Sequence, residues 1–229
     1  MTVPAARLRA VARLIAREIG PVTGVGLPRL ARHPVWASVP EGRGVGVVVV
    51  PGFGGADPTM AVLRRWLARR GYRPVVLLGH SRGGCLARLV AVRRPDLVGG
   101  LAMLGSPVLD PLDARVAVVP IRALVGLAGL GVRGLLDADC VRGTCGDTTT
   151  VGLAAPVAMP AVSVFSRNDG VVGWRSCRDP AAEWVEVHSS HTGMGTDPEL
   201  YAVLAPRLAR WAAGMVSGVL PGGQRQRER

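Results

Sequence analysis

The sequence contains no lysine, and all 28 of its positively charged residues are arginines. Aromatic residues make up only 4% of the chain, so the stacking platforms that bind nucleobases are scarce. The net charge of +12 goes with abundant Ala, Gly, Val and Pro, a bias typical of a GC-rich genome, and with no nucleic-acid-binding motif. We therefore expect no nucleic-acid partner.

Cysteine is scarce as well, and its four copies form no C-x-x-C pair, so no structural zinc site is expected. Cys140 and Cys145 lie close enough along the chain to form a disulfide in an exported protein. Free thiols in a reducing cytoplasm fit the same spacing equally well. Cys85 falls on the apolar side of a predicted helix, where we expect a small core residue.

Long hydrophobic runs are also missing. No stretch reaches the roughly 18 uninterrupted apolar residues of a membrane span. The N-terminal segment has no long apolar h-region because arginines interrupt it, so no signal peptide is predicted. These absences favour a cytoplasmic location, with export left open.

The pattern of residues 4–19 predicts an amphipathic helix. Arg9, Arg13 and Arg17 repeat every fourth position on a side of the helix away from its apolar face. Such a helix either covers the sheet with its arginines in water or makes peripheral contact with an anionic membrane surface.

With 48% hydrophobic and 19% charged residues, the 229-residue chain is expected to fold around one sizeable core. Apolar runs alternate with helical patterns, which predicts an α/β domain built on a parallel sheet. The predicted strands are 45–50, 72–78, 97–104, 161–165 and 184–187. We place the domain at 45–213, after an N-terminal segment (1–44) and before a disordered basic tail (214–229).

The most informative segment is Gly79-His80-Ser81-Arg82-Gly83, which follows an apolar strand and precedes a helical pattern. A strand, a sharp turn with a serine at its tip and a helix together make up the G-x-S-x-G nucleophile elbow. Glycines are needed because side chains at residues 79 and 83 would collide with the backbone of so tight a turn. The alternative is a plain Gly-Ser turn between a strand and its helix.

A serine hydroxyl needs a base to become nucleophilic, and the base needs a carboxylate to orient it. In enzymes with this elbow the chain order is serine, acid, histidine. Ser81, Asp169 and His191 follow that order, and Asp169 comes directly after a predicted strand. We prefer His191 to His188 because it lies in a Ser/Thr/Gly loop that can project it toward Ser81. The carboxylates that follow a strand less directly are Asp110, Asp113, Asp147 and Asp179.

The oxyanion of a tetrahedral intermediate needs backbone N–H donors. We expect them at Arg82, directly after the serine, and at Phe53, in the Gly-rich loop that follows the first strand. That loop does not match G-x-G-x-x-G, and no acidic residue follows at a suitable distance, so a dinucleotide site is rejected. This chemistry needs no metal and no organic cofactor.

Five segments together resemble the α/β-hydrolases related to bacterial, chiefly actinobacterial, lipases and esterases: VVVVPGFGG, GHSRGG, LGSP, FSRNDGVVGWRSC and VEVHSSHTGMG. The resemblance extends over residues 45–210. It implies an α/β-hydrolase fold, with the elbow role on Ser81, the acid role on Asp169 in the D-G-x-V run, and the base role on His191.

Two features depart from that family. Lipases commonly carry His-Gly before the oxyanion residue, where this chain has Pro51-Gly52. Family members also have a further strand and helix where residues 71–74 join the first helix directly to the elbow strand. We therefore expect an α/β-hydrolase fold with a shortened, mostly parallel sheet of about five strands flanked by helices. The strands should follow one another from first to fifth, with one edge exposed.

The sequence thus predicts a serine hydrolase that cleaves carboxylic esters, with a small ester or a lipid as substrate. Residues 112–158, apolar in their first half, are expected to supply a cap or an acyl-binding wall, or else helices that pack on the core. Residues 137–160 are expected to be loop-like. The alternatives are a thioesterase or acyltransferase with the same triad, and an inactive hydrolase-like protein that binds a partner or a membrane surface.

Overall fold

The computed structural model describes residue 13 and residues 27–36, 46–50, 61–70, 76–113, 139 and 143–216. Several predictions concern residues outside these ranges: the N-terminal helix (apart from residue 13), Phe53, residues 114–138 of the insertion and the tail beyond Val216. The domain boundaries drawn from those segments stay predictions.

Within these ranges, five strands form one parallel sheet, in which each strand pairs with the next along the chain. Their order confirms the predicted shortened sheet. The fourth strand has its predicted bounds, whereas the others start or end a few residues away from theirs. The strands are β1 Val47–Val50, β2 Val76–His80, β3 Gly100–Leu104, β4 Ala161–Phe165 and β5 Glu183–Glu186.

Helices cover both faces of this sheet. In the described ranges they are α1 Leu27–Arg32, α2 Ala61–Arg69, α3 Arg82–Arg93, α4 Thr144–Ala154 and α5 Pro198–Val216, with 3-10 turns at Pro34–Trp36 and Met194–Thr196. Within this part of the chain, no helix combines the length and the apolar composition that crossing a bilayer requires.

The central strands β2 and β3 are apolar and buried, apart from His80 at the end of β2, as expected for a sheet that is covered on both faces. Successive residues of a strand point to opposite faces. In β3, Ala102 and Leu104 join the core under α1, α2 and α5. Leu101 and Met103 join the core under α3 and α4. The sheet thus packs between two apolar layers, which hold its strands in place.

The segment predicted to be loop-like contains the helix α4. The prediction was wrong because Gly and β-branched Thr have low helix propensity and the segment shows little apolar periodicity. Packing against α3 stabilises the helix instead. Leu153 is buried in the shared core, and a Cβ on Gly152 would lie 2.7 Å from the Leu89 side chain, so glycine lets the two helices approach closely.

The last helix extends into the predicted tail. α5 continues through residues 214–216, which were predicted to belong to a disordered tail. Trp211 packs on Gly100 and Met215 on Gly99, at the start of β3; a Cβ on either glycine would lie within 2.4 Å of these side chains. Contacts with the sheet therefore extend the helix beyond the end that its own sequence indicates.

A buried ion pair ties α3 to the loop between β4 and β5. Arg88 and Asp179 are almost completely buried, with an Nε–Oδ2 distance of 2.5 Å and an Nη2–Oδ1 distance of 3.2 Å. A bidentate pair of this kind is stable in the interior only while both charges are present. Asp179, one of the alternative acids considered above, therefore serves the fold.

Replacing Asp179 with asparagine is expected to lower the free energy of unfolding by about 3–5 kcal/mol, because Arg88 would stay buried without a counter-charge. Urea denaturation at pH 7 measures this loss. The matched control is Asp96→Asn, which removes an exposed ion pair with Arg94 and should leave the unfolding midpoint almost unchanged. Equal midpoints for the two variants would contradict the role given to the buried pair.

Candidate active site

The candidate site lies at the edge of the sheet where all five strands end. In a parallel sheet the carboxyl ends share one edge, and ligands bind in the loops beyond it. Ser81 follows β2, and Gly105 follows β3. Asp169 lies in the loop after β4, and His191 lies in the loop after β5. The topology therefore brings residues from distant parts of the sequence to one edge.

Ser81 occupies a sharp turn between β2 and α3, with φ 56° and ψ −132°, and is the one described non-glycine residue with a positive φ. Its N–H donates to the Leu104 carbonyl at 2.8 Å, and its hydroxyl makes no cap hydrogen bond with α3. The turn is tight at Gly79, where a Cβ would lie 2.4 Å from the Gly83 oxygen. This close approach explains the glycine at residue 79.

Asp169 and His191 form a buried hydrogen bond, with Oδ2 of Asp169 2.6 Å from Nδ1 of His191. The other carboxylate oxygen, Oδ1, accepts the N–H groups of Val171 and Val172 at 2.8 and 2.7 Å. Because Oδ1 accepts two main-chain N–H groups, the arrangement suits a carboxylate, which only accepts, and Nδ1 of His191 is therefore assigned as the donor to Oδ2. Nε2 of His191 is then the ring nitrogen that can take up a proton.

Gly105 makes room for this pair. It has φ 53°, in the left-handed region that favours glycine. A Cβ at this residue would lie 3.1 Å from Oδ2 of Asp169 and 3.2 Å from Nδ1 of His191, the two atoms of the hydrogen bond. Gly105 was not predicted as a site residue, although its place directly after an apolar strand could have indicated one.

The loops that carry Asp169 and His191 are also bonded to each other. Ser166 Oγ donates to the Ser189 carbonyl at 2.7 Å and accepts the Asn168 N–H at 3.0 Å. The Asn168 amide donates to the His188 carbonyl at 3.2 Å. Sequence reasoning did not identify Ser166 and Asn168, because small polar residues are common in turns and carry no distinct signal there.

His80, the last residue of β2, contacts His191 directly. Its Nε2 lies 3.0 Å from the main-chain carbonyl oxygen of His191, and the ring centroids are 4.5 Å apart. Because a carbonyl only accepts, Nε2 carries the proton and donates it. Burial of the ring lowers the pKa of His80 to about 3, and the nearby His191 acts in the same direction. His80 is therefore neutral at pH 7.

The structure places the alternative histidine and carboxylates elsewhere. His188 is exposed, and both its main-chain N–H and its Nδ1 lie within hydrogen-bond distance of Glu199. Asp113 accepts the hydroxyl of Ser176. Two further alternative carboxylates, Asp110 and Asp147, are exposed. These side chains are not bonded to His191, which pairs with Asp169 among the carboxylates that the structure describes.

Of the two predicted oxyanion donors, the structure describes one. Arg82 is the first residue of α3, so its N–H has no acceptor within the helix and lies at the positive end of the helix dipole. Phe53 lies outside the described residues.

The cysteines and possible metal ligands complete the picture of the described part of the chain. Cys145 has a free thiol, while Cys140 lies outside the described ranges. In those ranges, no three His, Cys, Asp or Glu side chains are grouped so that they could hold a metal ion.

Comparisons with known sequences point to one fold family. The family profile described as alpha/beta hydrolase fold matches residues 50–128, which include the turn at Ser81. Lipase LipV of Mycobacterium tuberculosis (strain ATCC 25618 / H37Rv) is 38% identical over 68 residues, which cover 27% of this chain and 26% of the lipase. The match thus spans about a quarter of the length of that curated relative.

Solved structures show the same architecture. A structure from the work on LipS and LipT, two metagenome-derived lipolytic enzymes, has a TM-score of 0.52 at 18% identity and covers 76% of this chain and 96% of that one. BpoC of Mycobacterium tuberculosis H37Rv, assigned as a non-heme bromoperoxidase, has a TM-score of 0.50 at 19% identity and covers 75% and 92%. At these identities the likeness concerns the fold alone.

The variant Ser81→Gly is expected to be about 1 kcal/mol more stable than Ser81→Ala, because glycine adopts the positive φ of this turn without steric cost. The gain is smaller than the strain itself, since glycine also raises the entropy of the unfolded chain. Chemical denaturation of the two variants, which both lack the hydroxyl, measures the backbone contribution. Equal stabilities would refute the assignment of strain to residue 81.

The imidazole of His80 is expected not to titrate between pH 5 and 8, because its pKa is lowered to about 3. As the pH falls below about 6.5, the unfolded chain takes up a proton at this residue before the folded protein does. This residue therefore disfavours folding progressively from about pH 6.5 down to about pH 3. NMR titration of the four histidines, assigned by single substitutions, tests this, and a His80 signal that titrates above pH 5 would be the contrary result.

Proposed function

We propose that this chain, which has the α/β-hydrolase fold and matches the family profile over residues 50–128, is a serine hydrolase of carboxylic esters. In this proposal Ser81 is the nucleophile, His191 the general base and Asp169 the carboxylate that orients the base. One observation carries it: a buried Asp169–His191 hydrogen bond lies at the sheet edge where a strained turn presents Ser81. A plain Gly-Ser turn between a strand and a helix would need neither the strain nor the buried pair.

In the proposed acylation step, Nε2 of His191 removes the hydroxyl proton of Ser81 while Oγ attacks the carbonyl carbon of the ester. Asp169 keeps the proton on Nδ1 and stabilises the imidazolium that forms. The carbonyl oxygen becomes an oxyanion, and the N–H groups of Arg82 and Phe53 stabilise it. The positive end of α3 adds to this stabilisation at Arg82.

The intermediate then collapses, and the leaving alcohol takes the proton from Nε2, so that the acyl group stays on Ser81. A water molecule, activated by His191, attacks the acyl-enzyme and releases the carboxylic acid. One ester and one water give one acid and one alcohol. The proposed mechanism uses no metal ion and no organic cofactor.

For the substrate, we propose an ester with an apolar acyl group. LipV, the curated relative, is a lipase by name. The chain itself is rich in Leu, Val and Ala between residues 112 and 136, at the position where a hydrolase of this fold places a cap or an acyl-binding wall. A small carboxylic ester and a lipid ester both meet this description.

The test is labelling of the purified protein with a fluorophosphonate, located by peptide mass spectrometry. We expect one adduct, on Ser81, because that hydroxyl is the one activated by a base. His191→Ala should lower the labelling rate roughly 1,000-fold or more, since the triad acts as a unit. The matched control is His188→Ala, which removes an exposed histidine of the same loop and should label at the wild-type rate.

An unlabelled wild-type protein that is folded by circular dichroism would refute the proposal and favour an inactive hydrolase-like binding protein. Equal loss of labelling in His188→Ala and His191→Ala would refute the choice of base. Where labelling succeeds, rates on matched esters and thioesters of one acyl chain decide between an esterase and a thioesterase with the same triad.

A further inference from the structure

The loop that carries the proposed base is held from two directions. From the side of β4, three side chains bond to residues 188–191: Ser166, Asn168 and Asp169. From the side of β2, Nε2 of His80 donates a hydrogen bond to the main-chain carbonyl of His191. The nucleophile strand and the base are thus joined through His80.

We infer that His80 is a positioning residue, which sets the distance and orientation between the hydroxyl of Ser81 and the imidazole of His191. The inference rests on the proposed function and extends it to a residue without a role in the reaction itself. His80 is adjacent to Ser81 in sequence and pairs with Leu104 in the sheet, so its backbone moves with the nucleophile. A bond from this residue to residue 191 therefore couples the two reacting groups directly.

The contacts of His80 fix two properties of the base. Its hydrogen bond holds the main chain of His191 at 3.0 Å from the side chain that precedes the nucleophile. Its ring lies 4.5 Å from the His191 ring between centroids, at an interplanar angle of 42°. This contact limits the tilt of the His191 ring from one face, while Asp169 holds the Nδ1 edge. Placement of a base within a fraction of an ångström is what such support provides.

Histidine suits this position because it donates a hydrogen bond without carrying a charge. The imidazole of His191 becomes a cation during the proposed reaction, and a second cation against its ring would oppose that step. A lysine or arginine at residue 80 could make the same hydrogen bond but would keep its charge. The charged or titratable groups that act on His80 are His191 and Asp169. A neutral donor at residue 80 therefore does not oppose the positive charge that His191 acquires, and Asp169 can stabilise that charge.

The experiment compares His80→Leu with His80→Gln. Both remove the ring, but glutamine keeps an N–H donor that can reach the His191 carbonyl, and leucine does not. We expect His80→Leu to lower the fluorophosphonate labelling rate and the kcat for a short-chain ester about tenfold, with KM unchanged, because the base is displaced while the binding groups stay. His80→Gln should recover most of the loss.

A second readout does not depend on turnover. The proton between Nδ1 of His191 and Asp169 gives a downfield resonance in the proton NMR spectrum, which should shift or broaden in His80→Leu and return in His80→Gln. His188→Leu is the matched control in the same loop, and we expect it to leave both the resonance and the labelling rate unchanged.

Wild-type rates and an unchanged resonance in His80→Leu would overturn the inference. Equal losses of labelling rate in His80→Leu and His80→Gln would overturn it as well, because the hydrogen bond to the His191 carbonyl would then make no difference to the rate. A wild-type protein that does not label would refute the proposed function. The resonance would still show, in that case, whether His80 orders the ring of His191.

Discussion

The hydrogen bond between Asp169 and His191 demands that two loops meet in a buried place and stay there. It is possible because β4 and β5 are parallel neighbours, so their carboxyl ends open onto the same edge of the sheet. The bonds from Ser166 and Asn168 hold the loops together, and Gly105 gives up the volume that a side chain would fill. An ionised carboxylate in this place would be costly if any of these supports were lost.

Unfavourable local features are concentrated at this one edge. Ser81 has a positive φ, Gly105 has a left-handed backbone, and His80 is a histidine kept neutral by burial. The positive φ of Ser81 and the burial of His80 cost free energy, and folded proteins tolerate such costs where function requires them. The two apolar layers on the faces of the sheet offset them. Backbone strain in the loops that follow the strands, next to a regularly packed core, is typical of a functional site rather than of simple connecting turns.

The sequence allowed the sheet to be predicted because its strands are buried on both faces and appear as continuous apolar runs. The same property blurred their ends, since such runs lack the alternation that marks where a strand stops. Ser81, Asp169 and His191 were predicted from a local turn motif and from the order in which residues follow the predicted strands, and both can be read from the sequence. Contacts made across the sheet leave no such trace. The bond from His80 to residue 191 joins residues 111 positions apart, and α4 forms through its packing on α3.

The shortened sheet affects β1 and the proposed oxyanion donor Phe53 more than the proposed acid, Asp169, and the proposed base, His191. The further strand of the α/β-hydrolases that the sequence resembles would pair with the outer side of β1, which among the described strands has a neighbour on one side, with Val48 41% exposed. The serine follows β2, whose neighbours β1 and β3 are both present, and the acid and base follow β4 and β5. A missing outer strand is therefore at least one full strand away from each of these residues.

The loop after β1, where Phe53 is expected, is the part of the proposed site that depends on that edge. A short sheet accordingly concerns β1 and the loop that is proposed to hold one oxyanion donor, and it gives no reason for the Asp169–His191 pair to be disrupted.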